Sequence, residues 1–166
     1  MKKCTALITV MLILLNIGCT DDQEIGMTLE GTWRGAMSVY TEYGDRQYEA
    51  VYSEVLFVGD PFRTTKGTGY WVDHYSNSGW RRNYIANHIR WSVEDQIIRV
   101  HFQEEDADLE IRDFRLNNET FTGVVCYLDD NGRVVKQAPF AMTHIDTPNW
   151  NDYDYDYPLS YRSWAK

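Results

Sequence analysis

The chain has 166 residues, with 25 acidic against 16 basic side chains, a formal net charge of −9 and a pI near 4.8. It contains no run of five lysines or arginines. A nucleic-acid partner would demand such a positive footprint, and so would electrostatic attachment to anionic lipid headgroups. Both are excluded on charge.

Lys2 and Lys3 precede an apolar run at residues 6–15, ALITVMLILL. That run is half of the ~20 apolar residues a bilayer-spanning helix needs, so residues 1–18 read as a cleavable signal peptide. Gly18 followed by Cys19 resembles the lipobox of bacterial lipoproteins, in which the cysteine sulfur receives diacylglycerol and becomes the first mature residue. The resemblance implies a covalent lipid on Cys19 and an outer-membrane anchor, on the periplasmic face or the cell surface. Residues 19–28 then form a lipidated acidic tether. Its start, Thr20-Asp21-Asp22-Gln23-Glu24, is similar to the acidic export signal of some Bacteroidetes lipoproteins; a plain solvated linker is the alternative. Removing the 18 leader residues and their two lysines leaves 148 residues, enough for one domain, and takes the charge from −9 to −11. With Cys19 acylated, Cys126 is the one thiol left in the mature chain, so no intramolecular disulfide can form.

From residue 30 to 145 no stretch keeps the i, i+3, i+4 apolar spacing of a helix. Eight short runs rich in aromatic and β-branched residues appear instead, broken by turn residues. They cover 31–40, 49–58, 65–75, 82–93, 96–103, 109–116, 120–128 and 133–144. Gly44-Asp45 closes the first, Glu94-Asp95 turns the fourth into the fifth, and Asn131-Gly132 precedes the eighth; Asn-Gly suits a tight hairpin because both residues tolerate positive φ. Ile85, Ile89, Trp91 and Val93 share one face, as do Ile98, Val100 and Phe102, the pattern of an antiparallel sheet buried on one side. In the sixth run the phase slips between Ile111 and Phe114, which predicts a bulge near Arg112-Asp113. Short connections throughout favour an all-β, eight-stranded antiparallel up-and-down barrel over 29–145, whose closure removes exposed edges.

The first run carries a family resemblance. Gly31-Thr32-Trp33 resembles the Gly-x-Trp opening of lipocalins and of lipocalin-like domains in small Bacteroidetes lipoproteins, and Gly67-Thr68-Gly69-Tyr70-Trp71 and Phe121-Thr122-Gly123 are similar to stretches of the latter. The resemblance implies that Gly31 admits the chain tightly and that Trp33 plugs the closed end of the barrel. It also implies a basic residue over that tryptophan near the end of the last strand, where His144 stands, with Arg162 in the tail as the other candidate.

No nucleophile, zinc or phosphate-binding motif is present, and neither enzymatic activity nor a cofactor is expected. His74, His88, His101 and His144 are spread over separate strands; His74 and His88 can meet across neighbours but lack the third ligand of a catalytic zinc, so no metal is expected. Cys126 alternates with Val125 and Tyr127 and reads as a buried, inert thiol. Six tryptophans, twelve tyrosines and six phenylalanines are the more telling feature. A barrel of eight strands is either filled by side chains or holds one small ligand. For the ligand case the expected wall is Tyr70, Trp71, Asn87, Trp91 and Phe102, at the end opposite Trp33, with Asn87 an inward amide among Ile85 and Ile89. The two functional readings are therefore a barrel that binds a small, partly apolar molecule, and a filled interaction module in an envelope complex. In the tail, 146–166, the alternation Asp152-Tyr153-Asp154-Tyr155-Asp156-Tyr157 reads as tyrosines packed on the barrel wall; calcium or sugar binding is the alternative.

Overall fold

The computed structural model describes residues 21–129 and 131–155. The leader, Cys19, Arg162 and the end of the tail lie outside the described residues. A helix, α1 (Asp22–Leu29), comes first, followed by β1 (Gly31–Ala36), β2 (Tyr40–Tyr43), β3 (Arg46–Glu49), β4 (Tyr52–Asp60), β5 (Arg63–His74), β6 (Tyr84–Glu94), β7 (Ile97–Phe102), β8 (Ala107–Leu116), β9 (Thr120–Leu128) and β10 (Val134–Ile145). Eight strands close a ring in the order β1-β10-β9-β8-β7-β6-β5-β4, antiparallel throughout. This is the expected up-and-down barrel. β1 seals it, pairing Trp33 with His144 of β10 on one edge and with Val55 of β4 on the other.

Alternation decides which side chains enter. Ile85, Ile89, Trp91 and Val93 of β6 and Ile98, Val100 and Phe102 of β7 are all buried. In β8 the register shifts between Arg112 and Arg115, with Asp113 at φ 49°. That extra residue returns Phe114 and Leu116 to the interior side, where both pack on the core; the expected bulge is where the phase slip put it.

Two elements differ from the sequence reading. The acidic tether is partly helical: the Asp21 carboxylate accepts from Gln23 N–H as the cap of α1, and Asp22 and Glu24 occupy the first turn, where the helix dipole favours negative charge. Ile25 and Leu29, one helical turn apart, are buried in the barrel core. Gly26 lies so flat on β5 that a Cβ there would sit 1.9 Å from the Thr64 carbonyl oxygen. Asp22 also accepts from the amides of Asp95 and Gln96 (3.0 and 2.9 Å), which turn β6 into β7 through positive φ. The second difference is that the first run stops at Ala36, and Gly44-Asp45 turns a separate two-stranded hairpin, β2–β3.

The two ends of the barrel are thereby distinct. α1 and the β4–β5, β6–β7 and β8–β9 turns form one end; the β2–β3 hairpin and the 75–83 and 103–106 loops form the other. Trp33 is fully buried toward the α1 end. Its indole N–H donates to the Leu29 carbonyl (2.8 Å), and Phe121 and His144 meet it edge-on at 5.6 and 5.1 Å. His144 thus reaches the indole, but perpendicular to it rather than stacked. Gly31 is required twice over: its φ is +124°, and a Cβ would lie 2.3 Å from the His144 ring. Replacing Trp33 by Ala should cost ~3–5 kcal/mol through the lost burial and the cavity left behind. Denaturant unfolding measures this, and an unchanged midpoint would remove Trp33 from the core.

Candidate functional site

Trp71, Asn87 and Phe102 come together inside the barrel toward the hairpin end. Trp71 of β5 and Asn87 of β6 are cross-strand partners, and the Trp71 and Phe102 rings meet edge-on at 5.2 Å. Trp91 also points inward but lies four residues further along β6, ~13 Å toward the α1 end. There it packs on Phe57 and donates to the Val58 and Thr68 carbonyls. It belongs to the base of the barrel.

Tyr70 corrects the sequence reading. Neighbours on a strand face opposite ways, so with Trp71 inside, Tyr70 faces out. It stacks on Trp150 at 5.5 Å and lies 5.2 Å from His88.

Around Trp71 and Asn87 the structure adds polar side chains that the sequence reading missed. Ser53 Oγ and Trp71 Nε1 both donate to Asp73 Oδ1, at 2.6 and 2.9 Å, and all three residues are fully buried. Asn87 donates through Nδ2 to Glu105 Oε1 at 2.7 Å. That bond fixes the orientation of the amide, because only its nitrogen can face a carboxylate. The Asn87 oxygen is then left buried with no hydrogen-bond partner among the described residues. An unmet buried acceptor costs ~1–3 kcal/mol. Tyr127 of β9, also fully buried, completes the polar end of the interior.

The hairpin covers this region through specific ties. Trp80 of the 75–83 loop presents its ring to the edges of Tyr43, Tyr48 and Tyr75, at 5.8, 5.3 and 4.9 Å. The hydroxyls of Thr41 and Tyr75 bond at 2.8 Å, and the Lys136 ammonium of β10 sits 3.8 Å from the centre of the Tyr40 ring. Met37 and Val39, beneath the hairpin, join the barrel core. A water-sized sphere touches neither Trp71 nor Asn87 nor Tyr127, so no open chamber adjoins them with the hairpin in this position.

The tail lies on the outer wall. Trp150, in a short 3-10 turn (Trp150–Asp152), packs with Val72 and Ala86, flanked by Tyr70, Tyr84, Tyr153 and Tyr155. Tyr153 donates to Glu54 Oε2 at 2.9 Å, Tyr155 to the Trp150 carbonyl at 2.9 Å, and Asp154 pairs with Arg82 at 2.7 Å. Burial pushes both phenols well above their ordinary range. The histidines stay apart: His74 meets Glu54 (3.1 Å), His88 meets Glu104 (2.5 Å) and His101 meets Asp108 (2.9 Å). Cys126 is buried, and burial pushes its thiol upward, which disfavours the reactive thiolate.

Burial also holds His74 below its ordinary value, outweighing the opposing pull of Glu54. The unfolded chain, with an ordinary pKa near ~6.5, therefore binds a proton more readily than the folded one. Stability should fall as pH drops below ~6.5, over the window down to the lowered folded value. Melting temperatures between pH 8 and 5 should show this slope, and His74→Gln should flatten it; an identical slope in the variant would assign the effect elsewhere. No protein-family model matches the chain and no curated protein matches it, so function has to be read from this geometry.

Proposed function

We propose that this chain is a lipocalin-like, outer-membrane lipoprotein that works by binding rather than catalysis, taking a small, partly apolar ligand beneath the β2–β3 hairpin. One observation carries the reading: the Asn87 oxygen, buried and unmet, beside the Trp71 and Phe102 rings. Convergent polar groups beside apolar rings are what orient a small ligand, and here the space for one opens only when the hairpin moves. The ligand that suits them has an apolar body for the two rings and a hydrogen-bond donor for the Asn87 oxygen. Entry requires the hairpin to lift. An isolated two-stranded hairpin is only marginally stable, so its hold depends on Trp80, Thr41 and Lys136.

The sealed interior favours a second reading, a filled module that docks other envelope proteins through its outer wall. Native mass spectrometry of the soluble domain, purified gently from its own host, separates the two. A copurifying small mass that disappears in Asn87→Leu supports the ligand reading, and affinity for that molecule should weaken by ~1–3 kcal/mol. A bare domain that crosslinks reproducibly to an envelope protein supports the module. Anchoring has its own test: growth with a clickable fatty acid should label the protein, and Cys19→Ala should abolish the label. Label that persists on the alanine variant refutes the anchor.

A further inference from the structure

We infer that the α1 end of the barrel is a membrane-contact surface, with Phe62 seated in the interfacial layer of the bilayer. This rests on the proposed anchor at Cys19 for its orientation, and on the shape of the α1 end for its substance. Phe62 is 93% exposed at the tip of the β4–β5 turn, the most exposed of the large apolar side chains among the described residues. The tip is built rather than loose: Pro61 precedes it, and the Phe62 amide donates to Asp60 Oδ1 at 2.8 Å. Met27, 56% exposed on α1, and Val58, 44% exposed near the end of β4, stand at the same end. Arg63 and Lys66 are exposed beside them.

The covalent geometry brings the bilayer here. Cys19 is two residues before Asp21, the α1 cap, and two residues span at most ~7 Å. A lipid on Cys19 therefore holds α1 against the membrane with almost no slack. Gly26 is pressed on Thr64, two residues from Phe62, so the helix and the turn come down together. Of the acids at this end, Asp21, Asp22 and Asp60 accept from backbone amides, while Glu24, Glu30, Glu94, Asp95 and Glu119 are exposed, so contact is confined to the apolar tip at Phe62, with Arg63 and Lys66 beside it. With a domain that is acidic overall, the attraction is apolar insertion rather than charge, and salt does not weaken it.

The test uses the full-length acylated chain, reconstituted in phosphatidylethanolamine–phosphatidylglycerol vesicles, with an environment-sensitive dye on Phe62→Cys. A second protein carries the dye on Asn131→Cys, an exposed site at the far end. Peptide mass spectrometry confirms the labelled position and the lipid state of Cys19. The expected result is a blue-shifted dye at position 62, quenched several-fold by shallow nitroxide lipids and not reduced at 0.5 M salt, on the order of five times the ionic strength of a 0.1 M buffer. The dye at 131 should be unaffected. With Cys19 acylated, an unquenched dye at 62 overturns the surface and leaves the anchor standing. A blue shift without lipid quenching means burial against protein, including a second copy of this chain, and also overturns it. Equal quenching at both positions overturns the orientation. If Cys19 carries no lipid, quenching at 62 upholds the surface while the anchor fails; no quenching there ends both.

Discussion

The whole molecule depends on a strand of six residues, four of which are paired along both edges. β1 pairs with β10 on one side and β4 on the other, and this double pairing turns a curled sheet into a ring without free edges. Close approach is part of it: at Gly35 a Cβ would lie 2.0 Å from the Ala141 carbonyl oxygen, so β1 and β10 meet at a distance that only glycine allows. The same strand carries Trp33, and the indole N–H takes the last carbonyl of α1. One strand thus fixes closure, the base of the core and the position of the helix.

Above that base the barrel changes character along its axis. Trp33, Phe57, Trp91 and Phe121 fill the α1 half, with their polar atoms spent on backbone carbonyls of the same half. Toward the hairpin, Ser53, Asp73, Asn87 and Tyr127 are buried among Trp71, Ile85 and Phe102. Burying such groups costs free energy unless each finds a partner; Ser53 and the Trp71 indole find theirs in Asp73, and the Asn87 amide nitrogen finds one in Glu105. The rigid half supplies the stability against which the other half is held. The hairpin and the tail then divide the remaining aromatics, one set capping the mouth around Trp80 and the other clamping the outer wall around Trp150.

Much of this was legible in the sequence because a strand has a period of two and the turns carry recognisable residues. The phase of Ile85 and Ile89 put Asn87 inside, and the break in phase after Ile111 located the bulge at Asp113. The same rule was available for Asp73, two residues from Trp71, but a charged side chain resists assignment to a core on composition alone. Tyr70 misleads for the opposite reason: its aromatic ring suggests the interior, while its phase beside Trp71 places it on the outer wall. α1 was obscured by its acids, which look like a solvated linker, although Asp21 with Glu24 three residues on is the spacing of a helix start. Glu105 lies in a loop, and nothing in local pattern tells where a loop side chain will land; its contact with Asn87 is a product of the folded ring.

The pairing of Thr32 with Ile145 joins residues from opposite ends of the domain, and this has a consequence for the order of assembly. Contacts so distant in sequence form late, since the loop entropy they cost must be met before they return any stabilisation. Each of the six hairpin-like steps from β4 through β10 can form in sequence from its neighbour, but the pairing of β1 with β10 cannot begin until the chain is complete through Ile145. In the interval β1 and β10 are open edges, and Trp33 lacks both Phe121 and His144. An unclosed copy is therefore equipped to accept the β10 of another in place of its own, and the exchanged dimer would have the same hydrogen bonds as the monomer. Proximity within one chain is what directs the strand home.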